Sequence, residues 1–190
     1  FAMGRELLES NEIFRKTVEE VDAILQELGW LSDEKSNLVA ELEKDEENSR
    51  INETHVVQPA LFALQVGLAR IWQSMGIEPD GVVGHSIGEV AASYVSGALS
   101  LREATRVVFL RSRAQSKAAG RGRMLAVGLS PEDARAAIEP HAGRIDIAAI
   151  NGPGMLTLAG DNGVLEELAA TLEQDKVFNR FLVVDVPFHC

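Results

Sequence analysis

The sequence predicts a mixed α/β protein built of two parts, and three observations predict it. Apolar residues recur at helical spacing through most of residues 1–76. A short apolar run, Gly81-Val82-Val83-Gly84, then leads through a serine into an alanine-rich stretch. Beyond residue 123 strand-like and helix-like segments alternate. With 190 residues there is room for one sizeable core or for a domain carrying a smaller subdomain. A content of 46% hydrophobic and 25% charged residues is that of an ordinary globular protein.

Taken in order, residues 3–28 place Leu7, Leu8, Ile13, Phe14, Val18, Val21, Leu25 and Leu28 at helical spacing and stop at Gly29, which predicts a helix or a helix pair. The polar stretch from Ser32 to Thr54 reads as loop with one short helix. Gln58 to Gly76 is strongly apolar, carries Pro59 where a first turn accepts it, and ends at glycine, so a buried helix is expected. GVVG reads as a strand, and "IGEVAASYVSGAL" as a helix beginning at or just beyond Ser86. Residues 123–185 read β-α-β-β-α-β: "RMLAVGL", a helix after Ser130-Pro131-Glu132, "RIDIAAI", "MLTLAG", a helix in "NGVLEELAATLEQ", and "RFLVVDV".

Composition excludes several functions. No apolar run approaches the roughly 18 residues that span a bilayer, and no charged segment followed by an apolar one opens the chain, so a soluble, cytoplasmic protein is expected, without a membrane partner. Cys190 is the lone cysteine and forms no intrachain disulfide, which fits a reducing compartment. His55, His85, His141 and His189 show no metal-type spacing, so no metal is expected. The net charge of −11 argues against nucleic acid, whose binding is largely electrostatic. That charge is uneven: residues 1–53 hold six Lys/Arg against fifteen Asp/Glu, whereas residues 101–125 hold seven against Glu103 alone.

Gly84-His85-Ser86-Ile87-Gly88 is a G-x-S-x-G sequence between a predicted strand and a predicted helix. On residues alone Ser86 is either a nucleophile or one more serine in a glycine-rich loop. The strand–turn–helix context favours the nucleophile, because a sharp turn there needs small residues at 84 and 88 and bulkier ones are expected to clash. The helix start would add unpaired N–H groups and the positive end of its dipole, which stabilise developing negative charge. A serine also needs a base. His189, after "RFLVVDVPF", is either that base or a structural histidine, and Arg111 is either a solvated charge or a binding group.

"GHSIGE", "LRSR", "GRGRMLAVGLS", "AAINGPGMLTLAGD" and "VDVPFHC", with "MGRELLESNEIFRKTVEEVD" and "ETHVVQPALFALQVGLARIW", together resemble the acyltransferase domain of a type I polyketide synthase over nearly the whole chain. Stand-alone malonyl-CoA:acyl-carrier-protein transacylases share the serine, arginine and histidine, but Gly29-Trp30 and "ALFALQVGLARIW" lean towards the synthase-embedded kind. The resemblance implies that Ser86 is the acylated nucleophile and His189 the general base, then acid, of a Ser-His dyad. Its imidazole would be oriented by backbone carbonyls, so Asp185 need not be a third member. Ile87 would give an oxyanion-hole amide, and Arg111 would pair with the free carboxylate of a dicarboxylic acyl group. Gln58, Met124, Asn151, Phe188 and Ile87 would line the substrate site. The implied substrates are malonyl-CoA and an acyl carrier protein, with a ketosynthase and other synthase domains in the same chain and no cofactor beyond coenzyme A as part of the substrate.

The fold implied is an α/β-hydrolase-like larger subdomain with parallel strands, residues 1–122, with a ferredoxin-like subdomain inserted over 123–185 and residues 186–190 returning to the larger part. In the family a "GQG" segment precedes "MGREL" and further strands and helices follow the histidine, so the chain reads as a fragment of such a domain. Phe188 and Ile87 resemble the malonyl-selecting type, while "VVQPA" at 56–60 is nearer the methylmalonyl wording. Other readings are a methylmalonyl-specific enzyme, a stand-alone fatty-acid transacylase, a serine hydrolase or thioesterase using the same elbow, and a non-catalytic docking domain.

Overall fold

The computed structural model describes residues 2–30 and 37–190, so the expectations for residues 32–36 lie outside the described residues. The chain packs as two units, Phe1–Ala114 and Gln115–Cys190, and each is described by itself. This division falls earlier than the expected boundary at 122/123, and residues 186–190 cluster with the second unit rather than with the first. Local contacts give the reason: the Gly120 N–H donates to the Asp185 carbonyl at 2.8 Å, and Gly122 lies against Pro187.

In the first unit the predicted helix pair is present as α1 (Arg5–Ser10) and α2 (Glu12–Glu27). Asn11 separates them, and its side chain accepts from the Phe14 N–H at 3.0 Å as an N-cap. The α2 stripe of Phe14, Val18, Val21 and Leu25 is buried. Gly29, at φ 75, ends that helix; its N–H donates to Gln26 O and that of Trp30 to Leu25 O, the double closure of a left-handed C-cap. A short helix, α3 (Leu38–Glu43), is the one expected within the polar stretch. The long apolar helix α4 (Thr54–Ser74) begins four residues before Gln58, so Pro59 lies inside it and not at its first turn. A proline supplies no N–H for the carbonyl four residues back. That carbonyl is His55 O, and the buried indole of Trp30 donates to it at 2.8 Å. A side chain from the preceding segment thereby replaces the bond that Pro59 removes, and the helix extends back through the proline.

α5 (Gly88–Val95) follows the elbow, and α6 (Leu101–Ser116) follows α5. Residues 81–84 form neither helix nor strand, no strand pairs with them among the described residues, and Val83 is 97% exposed. The expected parallel strands of the first unit are therefore corrected. An extended segment becomes a strand only when a neighbour takes its backbone hydrogen bonds, and none is described there.

The second unit follows the predicted β-α-β-β-α-β order: β1 (Arg123–Val127), α7 (Pro131–Ile138), β2 (Ile145–Gly152), β3 (Met155–Gly160), α8 (Asn162–Gln174) and β4 (Asn179–Phe181). Its sheet is antiparallel throughout, in the order β2-β3-β1-β4, a ferredoxin-like arrangement. Ser130 and Asp161 cap α7 and α8 through the N–H groups of Asp133 and Val164. Leu125, Val127, Leu156 and Leu158 alternate towards a core shared with Leu165 and Leu168 of α8. β4 is shorter than the expected "RFLVVDV". Leu125 stands opposite Phe181, so the antiparallel register runs β1 out soon afterwards at Arg123, and Val183 is exposed.

Candidate active site

Ser86 stands at the turn between the 81–84 segment and α5. Its φ is 54, in the left-handed region that residues other than glycine adopt at a cost of order 1–3 kcal/mol. Among the described residues only Ala2, Ser86, Lys176 and His189 share that feature outside glycine. Such strain persists when the surroundings over-determine it. At Gly84 they do, since a Cβ there would fall 2.3 Å from the backbone N and Cα of Glu89. Gly88 is different: an added Cβ meets only Gln65 Nε2, at 3.6 Å, so a methyl group fits there and the expected clash concerns bulkier side chains alone.

The turn delivers Ser86 half-buried beside the first turn of α5. Ile87 is buried, and its N–H has no acceptor among the described residues, whereas the Gly88 N–H is taken by His85 O and the Glu89 N–H by Ser86 O. An amide without an acceptor at a helix start is suited to a developing oxyanion.

Arg111, on α6, reaches across to the same place. Its Nη2 donates to Ser86 Oγ at 3.0 Å and its Nη1 to Gln58 Oε1 at 2.5 Å. Gln58 is 4% exposed on α4. Burial pulls the Arg111 guanidinium below its ordinary pKa, while the negative charge of Glu89 acts the other way. Three helices thus bring together four of the predicted residues: Ser86, Ile87, Gln58 and Arg111. Glu89 is a member that the sequence reading did not single out, although its place in the first turn after the serine is the signal for it. Arg70 of α4 is another; it donates to the Tyr94 hydroxyl on α5 at 2.9 Å and to Glu20 on α2 at 2.8 Å, tying the helix behind Ser86 to its neighbours. An open cleft of about 590 Å³ runs along 81–85 and is lined by Gln65, Val83, His85, Gly88 and Ala92, not by Ser86 or Arg111.

The second unit holds the other predicted residues. His189 is exposed with φ 63, and Phe188 before it is half-buried, its N–H donating to Val186 O at 3.0 Å. Met124 is buried on β1. Asn151, at the end of β2, donates from Nδ2 to Thr157 Oγ1 at 3.0 Å. Among the described residues no group of His, Cys, Asp and Glu has the arrangement of a metal site, and no helix is long and apolar enough to cross a membrane.

The acyl transferase domain family model matches residues 1–190. The chain is 40% identical over 196 aligned residues to a highly reducing polyketide synthase of Sordaria araneosa, with 98% of this chain covered and 6% of that protein. Among solved structures it superposes on a loading acyltransferase of the avermectin modular polyketide synthase with a TM-score of 0.87 and 37% identity, over 98% of this chain and 58% of the other. A malonyl transacylase solved with its type II polyketide acyl carrier protein matches with a TM-score of 0.86 and 27% identity, over 100% of this chain and 60% of that one. The chain therefore spans a small part of the synthase and somewhat over half of each solved chain. The chain belongs to the acyl transferase domain family, among the acyltransferase domains of type I polyketide synthases.

Proposed function

We propose that this acyltransferase moves a malonyl group from coenzyme A, through an ester on Ser86, to the phosphopantetheine thiol of an acyl carrier protein. The observation that carries the reading is the strained serine at the start of α5 with the Arg111 guanidinium 3.0 Å from its hydroxyl. A planar guanidinium suits bidentate pairing with a carboxylate, and a malonyl group has one to spare.

In the proposed reaction His189 takes the Ser86 proton while Oγ forms a bond to the thioester carbon. The tetrahedral oxyanion is held by amides, that of Ile87 among them. The carbon–sulfur bond then breaks, and the sulfur leaves with the proton held on the imidazole. In the second half the carrier thiol attacks the acyl-serine, with the same imidazole taking and returning the proton. No cofactor is called for, since coenzyme A belongs to the substrate. Met124 and Asn151 are assigned to the acyl site, with Phe188 and Ile87 as its selective wall.

The carrier assignment is supported by the transacylase solved with its carrier protein, and the setting beside a ketosynthase and other domains by the synthases that match. The test is mass spectrometry of the full-length protein mixed with malonyl-CoA. A malonyl adduct should appear on Ser86 and vanish in Ser86→Ala, and His189→Ala should slow its formation about 10²- to 10⁴-fold. An adduct that survives Ser86→Ala refutes the assignment. Steady release of free acid without a carrier protein would instead favour a hydrolase.

A further inference from the structure

We propose that Arg111 is a latch on the nucleophile as well as a clamp for the substrate: with the acyl site empty its guanidinium holds Ser86 Oγ, and the free carboxylate of an incoming acyl group draws it off. The inference rests on the assignments of Ser86 and Arg111 made above and adds an order of events at that site. One end of the guanidinium is bonded to Ser86 Oγ at 3.0 Å and the other to the buried Gln58 amide oxygen at 2.5 Å, so the group that would receive the carboxylate is already engaged with the nucleophile. Burial penalises the Arg111 charge, which keeps it on whatever acceptors are within reach.

The consequence follows from what happens to Oγ. In the free hydroxyl it is a good acceptor for a cationic donor. During acylation a lone pair becomes the new carbon–oxygen bond, the proton leaves for the base, and the product is an ester oxygen, a poor acceptor. An interaction stronger in the ground state than in the transition state raises the barrier. A carboxylate that takes the guanidinium in two parallel hydrogen bonds removes that hold before bond-making begins. A monocarboxylic thioester or a water molecule leaves it in place. Dicarboxylic groups are then selected twice, once by affinity and once by release of the nucleophile.

The probe is phenylmethylsulfonyl fluoride, which is neutral and has no carboxylate: Oγ bonds to sulfur, the sulfur–fluorine bond breaks, fluoride leaves and the serine proton goes to the base. In the full-length protein Arg111→Met keeps the aliphatic stem and removes the donors. Labelling of Ser86 should become about tenfold faster, the scale of a hydrogen bond from a charged donor. Labelling no faster than wild type, in a variant whose thermal midpoint is unchanged, overturns the latch. If the variant is unstable, wild type decides: sodium formate titrated against sodium chloride at equal ionic strength should accelerate labelling, and no acceleration overturns the proposal. Malonyl loading separates the two levels. If Arg111→Met loses malonyl loading without faster sulfonylation, the clamp stands and the latch falls. If malonyl loading is untouched, or the sulfonyl group is not on Ser86, both fall.

Discussion

A Cβ added at Gly84 would sit 2.3 Å from the Glu89 backbone, and no side-chain movement relieves an obstacle made of main chain. Gly84→Ala must therefore open the elbow or shift α5, and either moves Ser86 out of reach of Arg111. Gly88→Ala meets only Gln65 Nε2 at 3.6 Å and should keep malonyl loading within a few-fold of wild type, whereas Gly84→Ala should lose it about a hundredfold or more. Equal loading in the two variants would show that the tight approach at 84 is not what shapes the turn. The serine and Gly84 were legible because a sharp strand-to-helix turn restricts residue types locally. The role of Gln58 was not, since the bond from Arg111 to its amide spans two helices far apart in sequence. Phe188 carries a second prediction at this scale. If its ring fills the space of an α-methyl branch, Phe188→Ser should move competition between malonyl-CoA and methylmalonyl-CoA towards methylmalonyl by about 10- to 200-fold, the range for one methyl group in an apolar pocket. A ratio unmoved by the substitution would place the choice elsewhere.

Among the elements, α4 shows how a distant side chain changes what a local rule predicts. A proline early in an apolar run reads as a first-turn residue, yet the helix starts at Thr54 because Trp30 supplies the donor that Pro59 lacks. Nothing within the run reports a partner that lies before it in the chain. Trp30→Phe should keep most of the apolar burial while leaving the His55 carbonyl without its donor, a loss of about 1–3 kcal/mol of stability. The midpoint of urea unfolding should fall with little change in slope; an unchanged midpoint would mean that water serves that carbonyl equally well. The strands illustrate the same lesson. The second unit was legible from its alternation because β1, β2, β3 and β4 find one another within residues 123–181. GVVG has the composition of a strand but no described neighbour, and "LVVDV" outruns β1, so strand propensity alone overstated both.

For the whole molecule the question is how a chain of net charge −11 would receive the proposed carrier protein if that carrier is itself acidic. Long-range repulsion slows such an encounter unless a local basic face reverses it. The segment around α6 offers one, and the structure narrows it. Arg102 is paired with Glu27 at 2.7 Å, and Arg123 lies over the Phe181 ring at 3.9 Å with Glu166 at 3.5 Å. Those two cations balance neighbours. Arg106 and Arg113 are exposed on α6 with no ion pair among the described residues, on a stretch that also exposes Val107 and Leu110; Lys117 and Arg121 are exposed as well. If this face steers the carrier, transfer from the acyl-serine to the carrier should slow as salt rises, because the Debye length shrinks from about 10 Å at 0.1 M to about 3 Å at 1 M. Arg106→Glu with Arg113→Glu should cut the second-order rate of that step by about tenfold at low salt and flatten its salt dependence, as a loss of steering does. Acylation of Ser86 by malonyl-CoA, measured in the same variant without carrier, should change far less, which separates docking from damage to the site. A transfer rate indifferent to both salt and charge reversal would leave these arginines as the counterweight to the acidic residues of 1–53.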